Sequence, residues 1–181
     1  VNSGASLPTS AADPGGRSAL APAIVVSDAG PLIALGRLDL LHLLRALFSA
    51  VHVPDQVATE CLARPDNLEA QRIRAMLDNG QLTRSTATPI DLPGLEPGEC
   101  AAIGLALALR TAVLLDDGAA RMRASALGIR VMGTLGVLVL ARQQGLVGPL
   151  APCIAALRAS GQRLSHGAVA QALAAVGEAA P

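Results

Sequence analysis

The chain has 181 residues, of which 51% are hydrophobic and only 15% charged, with 14 basic and 14 acidic side chains in balance. That composition supports one domain with a full hydrophobic core and excludes a disordered chain. Zero net charge removes the broad basic field of a nucleic-acid binder but leaves room for a local basic rim. The basic residues are all Arg, which excludes a Schiff-base lysine and the phosphate-binding lysine of a P-loop. With no Trp, no Tyr and a single Phe, Phe48, aromatic platforms for stacked bases are excluded too.

Residues 1–22 are rich in Ser, Gly, Pro and Ala without periodicity and read as a disordered extension. From residue 23 to 181 the pattern is that of one domain. "AIVVS" is a short strand, apolar throughout. Pro31 opens a helix over "PLIALGRL", and "LDLLHLLRALF" continues as a second helical piece. "AVHV" is a strand, and Pro54 suits the first position of a helix over "PDQVATECLA". A helix over about 66–79 ends at "NG", with Glu69 on its solvent side. "QLTRS" is a strand and "TATPIDLPGLEPG" a loop with three prolines. A helix on "PGECAAIGLALALR", the strand "TAVLL", a helix on "GAARMRASALG" and a last strand "IRVMG" follow. Helices at about 134–144, 149–159 and 166–176 complete the chain.

Strands alternating with helices predict a three-layer α/β/α domain with a mainly parallel sheet of four or five strands. "IVV" and "VLL" lack polar alternation, as expected when helices cover both faces. Cys61, Cys100 and Cys153 are widely spaced with no CxxC, the pattern of buried thiols in a reducing compartment. Neither a run of 18 apolar residues nor a signal peptide is legible, so the expectation is a cytoplasmic protein with no membrane span.

Two strands close on acids: "AIVVSDAG" on Asp28 and "TAVLLDDG" on Asp116 and Asp117. In a parallel sheet the ligand crevice lies at the carboxyl ends of the strands, where these acids fall. Glu60 and Glu99 sit in helices that such a fold would bring to the same end. Each acid has an ordinary local explanation. Asp28 is a turn residue at a helix start, and Asp117 or Asp116 is a helix cap, with Arg121 near enough to offset the paired charge. Glu60 pairs with Arg64 at i, i+4, and Glu99 is a first-turn glutamate. Together, acids from four segments at one crevice call for a hard divalent cation, Mg²⁺ or Mn²⁺, able to activate water for phosphoryl displacement. The glycines of "GTLG" at 133–136 read as helix-start packing, and His42, His52 and His166, with no ligand spacing, as structural.

The blocks "VVSDAGPLIAL", "VHVPDQVATEC", "LEPGECAAIGLALA" and "AVLLDDGAAR" resemble, in order and spacing, the PIN-domain family of metal-dependent nucleases, which includes VapC-like toxins of bacterial toxin–antitoxin pairs. The resemblance runs from about Ile24 to Glu178. The closing segments "VMGTLGVLVLARQQGLV" and "GQRLSHGAVAQALAAVGE" look like a PIN-related bacterial subfamily. The resemblance implies a Mg²⁺- or Mn²⁺-dependent ribonuclease, with catalytic acids Asp28, Glu60, Glu99 and Asp117. Asp28, Glu99 and Asp116 or Asp117 would hold the metal, with Glu60 acting through water. Leu115 stands where many relatives carry Thr or Ser, so the choice between Asp116 and Asp117 stays open. RNA would be gripped through its phosphates by Arg64, Arg121 and Arg123, with selection by RNA shape and single-strandedness. An antitoxin and a second copy of the chain are the implied partners. The rival reading is a PIN fold that binds RNA or an antitoxin with little catalysis. A receiver domain is excluded by the missing Lys, and a dinucleotide-binding domain by the missing GxGxxG.

Overall fold

The computed structural model describes residues 24–88 and 90–179; the extension expected over 1–22 lies outside them. The strands are β1 (Ile24–Ser27), β2 (Ala50–Pro54), β3 (Thr83–Ser85), β4 (Ala112–Leu114) and β5 (Val131–Met132). They form one sheet in the order β3-β2-β1-β4-β5, and every neighbouring pair is parallel. The helices are α1 (Ala29–Arg37), α2 (His42–Leu47), α3 (Asp55–Cys61), α4 (Leu68–Asp78) and α5 (Pro97–Leu109). They continue with α6 (Gly118–Ala126), α7 (Thr134–Gln143), α8 (Leu150–Ala159) and α9 (His166–Ala175).

The sheet separates two apolar layers, and the strand period of two assigns each side chain to one of them. Val25, Ala112 and Leu114 pack with α1, α2, α3, α7, α8 and α9. Val26, Val113 and Leu115 face the other way, against α5 and α6. Because both faces are covered, the central strands are apolar over Ile24–Val26 and Ala112–Leu114. The edge strand β3, with Thr83 and Arg84 exposed, is not. The five-stranded parallel sheet between helical layers is the architecture expected from the alternating pattern.

Three details differ from the sequence expectation. Pro54 is the last residue of β2 and the N-cap of α3, so the first helical position falls to Asp55. There Asp55 accepts from Arg84 and Thr86, pinning the edge strand to α3. The proline-containing loop before α5 is not a free excursion, because Ala87, Leu92 and Leu95 cover α5 and complete its apolar surround. Glu69 does not face solvent. Helix α4 packs on α1, and the Glu69 carboxylate takes a 3.1 Å bond from Arg37 Nε with its side chain only 15% exposed.

Leu114 is fully buried at the end of β4, and its carbonyl accepts the Asp28 N–H at 3.0 Å. Leu114→Ala should lower the unfolding free energy by about 2–5 kcal/mol, as for other large-to-small core changes. Urea denaturation followed by circular dichroism would read this, and a change under about 1 kcal/mol would contradict the packing described.

Candidate functional site

Strands β1 and β4 are neighbours, with Ser27 in register with Leu114. Their chains therefore leave the sheet side by side. Asp28 caps α1, its Oδ2 accepting from Gly30 N at 3.4 Å. Asp117 caps α6, its Oδ1 accepting from Ala119 N at 2.8 Å and Ala120 N at 2.9 Å. Asp116 stands beside Asp28. A Cβ on Gly30 would lie 3.7 Å from Asp116 Oδ2 and 3.8 Å from Asp28 Oδ2. The premise that these strand ends are adjacent therefore holds.

The two glutamates come from the helices flanking the same end. Glu60 lies in the last turn of α3, its Oε1 accepting from Gln56 Nε2 at 3.2 Å. It rests against the start of α5, where a Cβ on Gly98 would sit 2.8 Å from Glu60 Oε1. A side chain at position 98 would push the Glu60 carboxylate aside. Glu99, one residue on, closes a capping box with Glu96, whose N–H donates to Glu99 Oε2 at 2.9 Å. The expected Glu60–Arg64 pair does not form: α3 ends at Cys61, so Arg64 is off the helix and the i, i+4 geometry is lost. No ion pair formed among the described residues involves any of the five acids.

Electrostatics ties four of these acids together. Asp28, 8% exposed, is pushed up to about 6, first by burial and then by the charges of Glu99 and Glu60, against bonds from Ala29 and Gly30 that lower it. Glu99 is raised by burial and by Asp117, Glu96 and Glu60. Beneath them, burial together with Asp28 and Glu60 pushes the Cys61 thiol up to about 12, so Cys61 is a neutral, inert floor.

Asp116 differs. Its Oδ1 accepts from Thr134 N at 2.8 Å, and its Oδ2 from Thr134 Oγ1 at 2.6 Å and Gln162 Nε2 at 3.1 Å. The half-buried carboxylate thus sits at the N-terminus of α7, where helix amides favour negative charge. Gly133 permits this, since a Cβ there would lie 2.9 Å from Asp116 Oδ1 and 2.8 Å from Arg121 Nη1. Glu60, Glu99 and Asp117, by contrast, each commit one oxygen locally and keep the other free of hydrogen bonds among the described residues. Thr134, fully buried, and Gln162 escaped sequence reasoning. A buried Thr directly after Gly133 was a legible signal; for Gln162, 46 residues from Asp116, there was none.

Of the expected phosphate-binding arginines, Arg121 lies closest to the acids but folds back, Nη1 donating to the Leu115 carbonyl at 2.9 Å. Arg123 is exposed beside Pro93 and Leu95, and Arg64 is exposed beyond α3. Among the described residues, no three His, Cys, Asp or Glu side chains close around one point as a metal-holding group. The donors are nonetheless all carboxylate oxygens, and Mg²⁺ binds through one or two of these while keeping its waters. The donor chemistry fits such an ion, although no cage is preformed.

The DUF3368 family, described as a PIN domain, matches residues 24–178. The chain belongs to the PIN-domain family. PIN domains are generally nucleases acting on nucleic acid and usually bind divalent metal ions. No curated protein matches the chain. Among solved structures, a PilT N-terminus domain protein from the hyperthermophilic archaeon Sulfolobus solfataricus P2 is similar over 65% of this chain and 92% of its own, at 13% identity and a TM-score of 0.45. No helix among the described residues of this PIN domain is long and apolar enough to cross a membrane.

Two outcomes follow for the isolated PIN domain in chelator-containing buffer. Because Asp28 titrates near 6 rather than 3.8, the native state holds its proton more firmly than the unfolded chain does. Stability therefore falls as pH rises from about 4 to 6 and stays lowered above, by about 3 kcal/mol at most. Asp28→Asn, which keeps the cap, should remove that loss and be the more stable protein at pH 7 but not at pH 3.5 to 4. Denaturant midpoints across this range would show it, and parallel pH profiles for parent and variant would refute it. Asp116→Ala should cost about 1–3 kcal/mol by orphaning Thr134 and Gln162, whereas Asp117→Asn should stay within about 0.5 kcal/mol of the parent. Equal losses in the same melts would contradict the different roles given to the two aspartates.

Proposed function

We propose that this PIN domain is a metal-dependent endoribonuclease whose centre comprises Asp28, Glu60, Glu99 and Asp117. The observation that carries the reading is the burial of Asp28 among the charges of Glu60 and Glu99 without a basic partner. A structural protein gains nothing from that arrangement, since the buried carboxylate lowers its stability near neutral pH. A divalent cation relieves the repulsion and gives the charges a use.

Asp28, Glu99 and Asp117 would hold the ion, and Glu60 would reach it through a water. Bound there, Mg²⁺ or Mn²⁺ supplies Lewis acidity toward a phosphodiester oxygen and a water of lowered pKa. The protein's own contribution is orientation. Capping bonds fix one oxygen of Asp117 and one of Glu99, turning the other towards the crevice. Asp116, saturated by Thr134 and Gln162, holds the chain after β4 in place. Arg121 and the exposed Arg64 and Arg123 supply positive charge for the phosphates of the RNA, which without aromatic platforms is gripped through its backbone. Pairing with an antitoxin and with a second copy of the chain belongs to the same reading, on the strength of the likeness to VapC-like toxins.

Single-stranded RNA should be cleaved in the presence of Mn²⁺, and chelator should stop it. Asp28→Asn and Asp117→Asn should fold and lose cleavage by roughly a hundredfold or more, since a neutral amide holds the ion far more weakly than a carboxylate. Cleavage that survives chelator, or survives both substitutions, would sink the metal-nuclease reading. Undiminished RNA or antitoxin binding by a parent that never cleaves would favour the binding module instead.

A further inference from the structure

Beside the acids, between β5, α7 and α9, lies a cavity of about 620 Å³. It is within the size range of small-ligand pockets, and nothing in the acid-centred chemistry uses it. Asp116 forms part of its wall, and a Cβ on Gly30 would lie within van der Waals contact of both Asp116 and Asp28. The cavity therefore lies beside the acidic crevice. Its sides are aliphatic, with Met132 and Leu135 on one wall and Leu164 and Ala168 on the other. Polar side chains also line it: Gln162, already anchored on Asp116, with Ser165 and Gln171, and two arginines, Arg121 and Arg163.

We propose that this cavity is a nucleobase subsite, which takes the base next to the phosphate held at the acids and makes cleavage base-selective. The proposal rests on the nuclease reading for the identity of the strand. The cavity's chemistry supports it separately. A nucleobase has apolar faces and a polar edge, and the cavity lining combines aliphatic side chains with amide and hydroxyl groups. Phe48 is buried in the core, so no aromatic ring is available, and the polarizable thioether of Met132 is the softest surface on offer. Amides and hydroxyls can both donate and accept, which suits discrimination along a base edge. Arg121 and Arg163 place positive charge beside the adjoining phosphates. A partner's apolar helix would leave Gln171, Arg121 and Arg163 facing apolar surface, so a nucleotide is the better occupant. Selection would then come from a formed pocket, beyond the RNA shape and single-strandedness expected from the sequence.

The full chain, methyl-labelled for NMR, would be titrated without added metal with each of the four ribonucleoside 5′-monophosphates and with ribose 5-phosphate. Saturable shifts are expected at Leu135, Leu164 and Ala168, with at least a fivefold spread in affinity among the bases, roughly the discrimination a few pocket contacts supply. Ribose 5-phosphate should leave these methyls unmoved. Ala168→Leu places a branched side chain in the cavity and should block the shifts while retaining the parent's melting temperature; Gln171→Ala should narrow the spread. In the Mn²⁺ cleavage assay, Ala168→Leu should bring kcat/KM for the best and worst bases to within about twofold of each other. Equal shifts with ribose 5-phosphate, no saturable shift with any nucleotide, or undiminished base preference in Ala168→Leu would overturn the subsite, even if chelator-sensitive cleavage persists. Shifts that track protein concentration instead of nucleotide would also overturn it, assigning the cavity to a second copy. Base-selective binding by a chain that never cleaves would uphold the subsite and sink the nuclease reading.

Discussion

The parallel pairing of β1 with β4 is the constraint from which the site follows. Parallel neighbours end at the same edge of a sheet, and the Asp28 N–H bonded to the Leu114 carbonyl makes the two exits adjacent in space. Residues 28 and 116, far apart in the chain, thereby become neighbours across one glycine. The pairing is itself secured by burial on both faces, since Val25 and Leu114 point into one apolar layer and Val26 and Val113 into the other. Charges could not be carried inside that sandwich. They emerge at its rim, where helix N-termini offer amides to receive them.

Local structure and site share the same side chains. Asp28 and Asp117 cap helices, Glu99 closes a capping box, and each remains part of one electrostatic group. Capping leaves each of these carboxylates an oxygen to spare, because a carboxylate has two oxygens and a cap occupies one. The capping bonds hold rotamers that mutual repulsion would otherwise spread. Asp116 is the counter-example. With both oxygens engaged by Thr134 and Gln162, it joins the strand end to α7 and to the turn between α8 and α9. The turn is held a second time where Arg37 donates to the Ser160 carbonyl. The C-terminal helices are thus more than a cover for the core. They set the position of the chain that carries the acids, and α9 with the turn before it lines, beside β5 and α7, the cavity next to it.

Burial explains why the site is electrostatically strained. Among the five acids only Asp28 is nearly excluded from water, and its carboxyl is the one raised furthest. Asp117 is exposed and Glu99 half-buried. A gradient of exposure runs from the floor at Cys61 to the rim at Asp117. Such a gradient leaves the inner carboxylate poorly hydrated, and the outer ones keep water within reach.

Much of this was open to reading from residue order. Apolar runs without alternation mark doubly covered strands, because a sheet face against helices admits no polar side chain, and the alternating elements then require a parallel sheet. The position of Asp28, Asp116 and Asp117 just beyond such runs placed them at the carboxyl edge before any coordinates. Glu60 and Glu99 were expected at the same crevice, but not in direct approach. Their approach depends on the contact of α3 with α5 at Gly98, which no local pattern encodes. The same holds for Glu69, whose helix is amphipathic enough to look exposed until α1 packs on it. Asp116 and Asp117 could not be told apart in the sequence, since both follow the same strand and either could cap the next helix. Sequence determined the layers, the strand ends and the local caps, because burial and hydrogen bonding within a few residues dictate them. Tertiary structure alone decided which aspartate is tied down, which glutamate meets Asp28 and where the cavity opens, because those are settled by contacts between segments tens of residues apart.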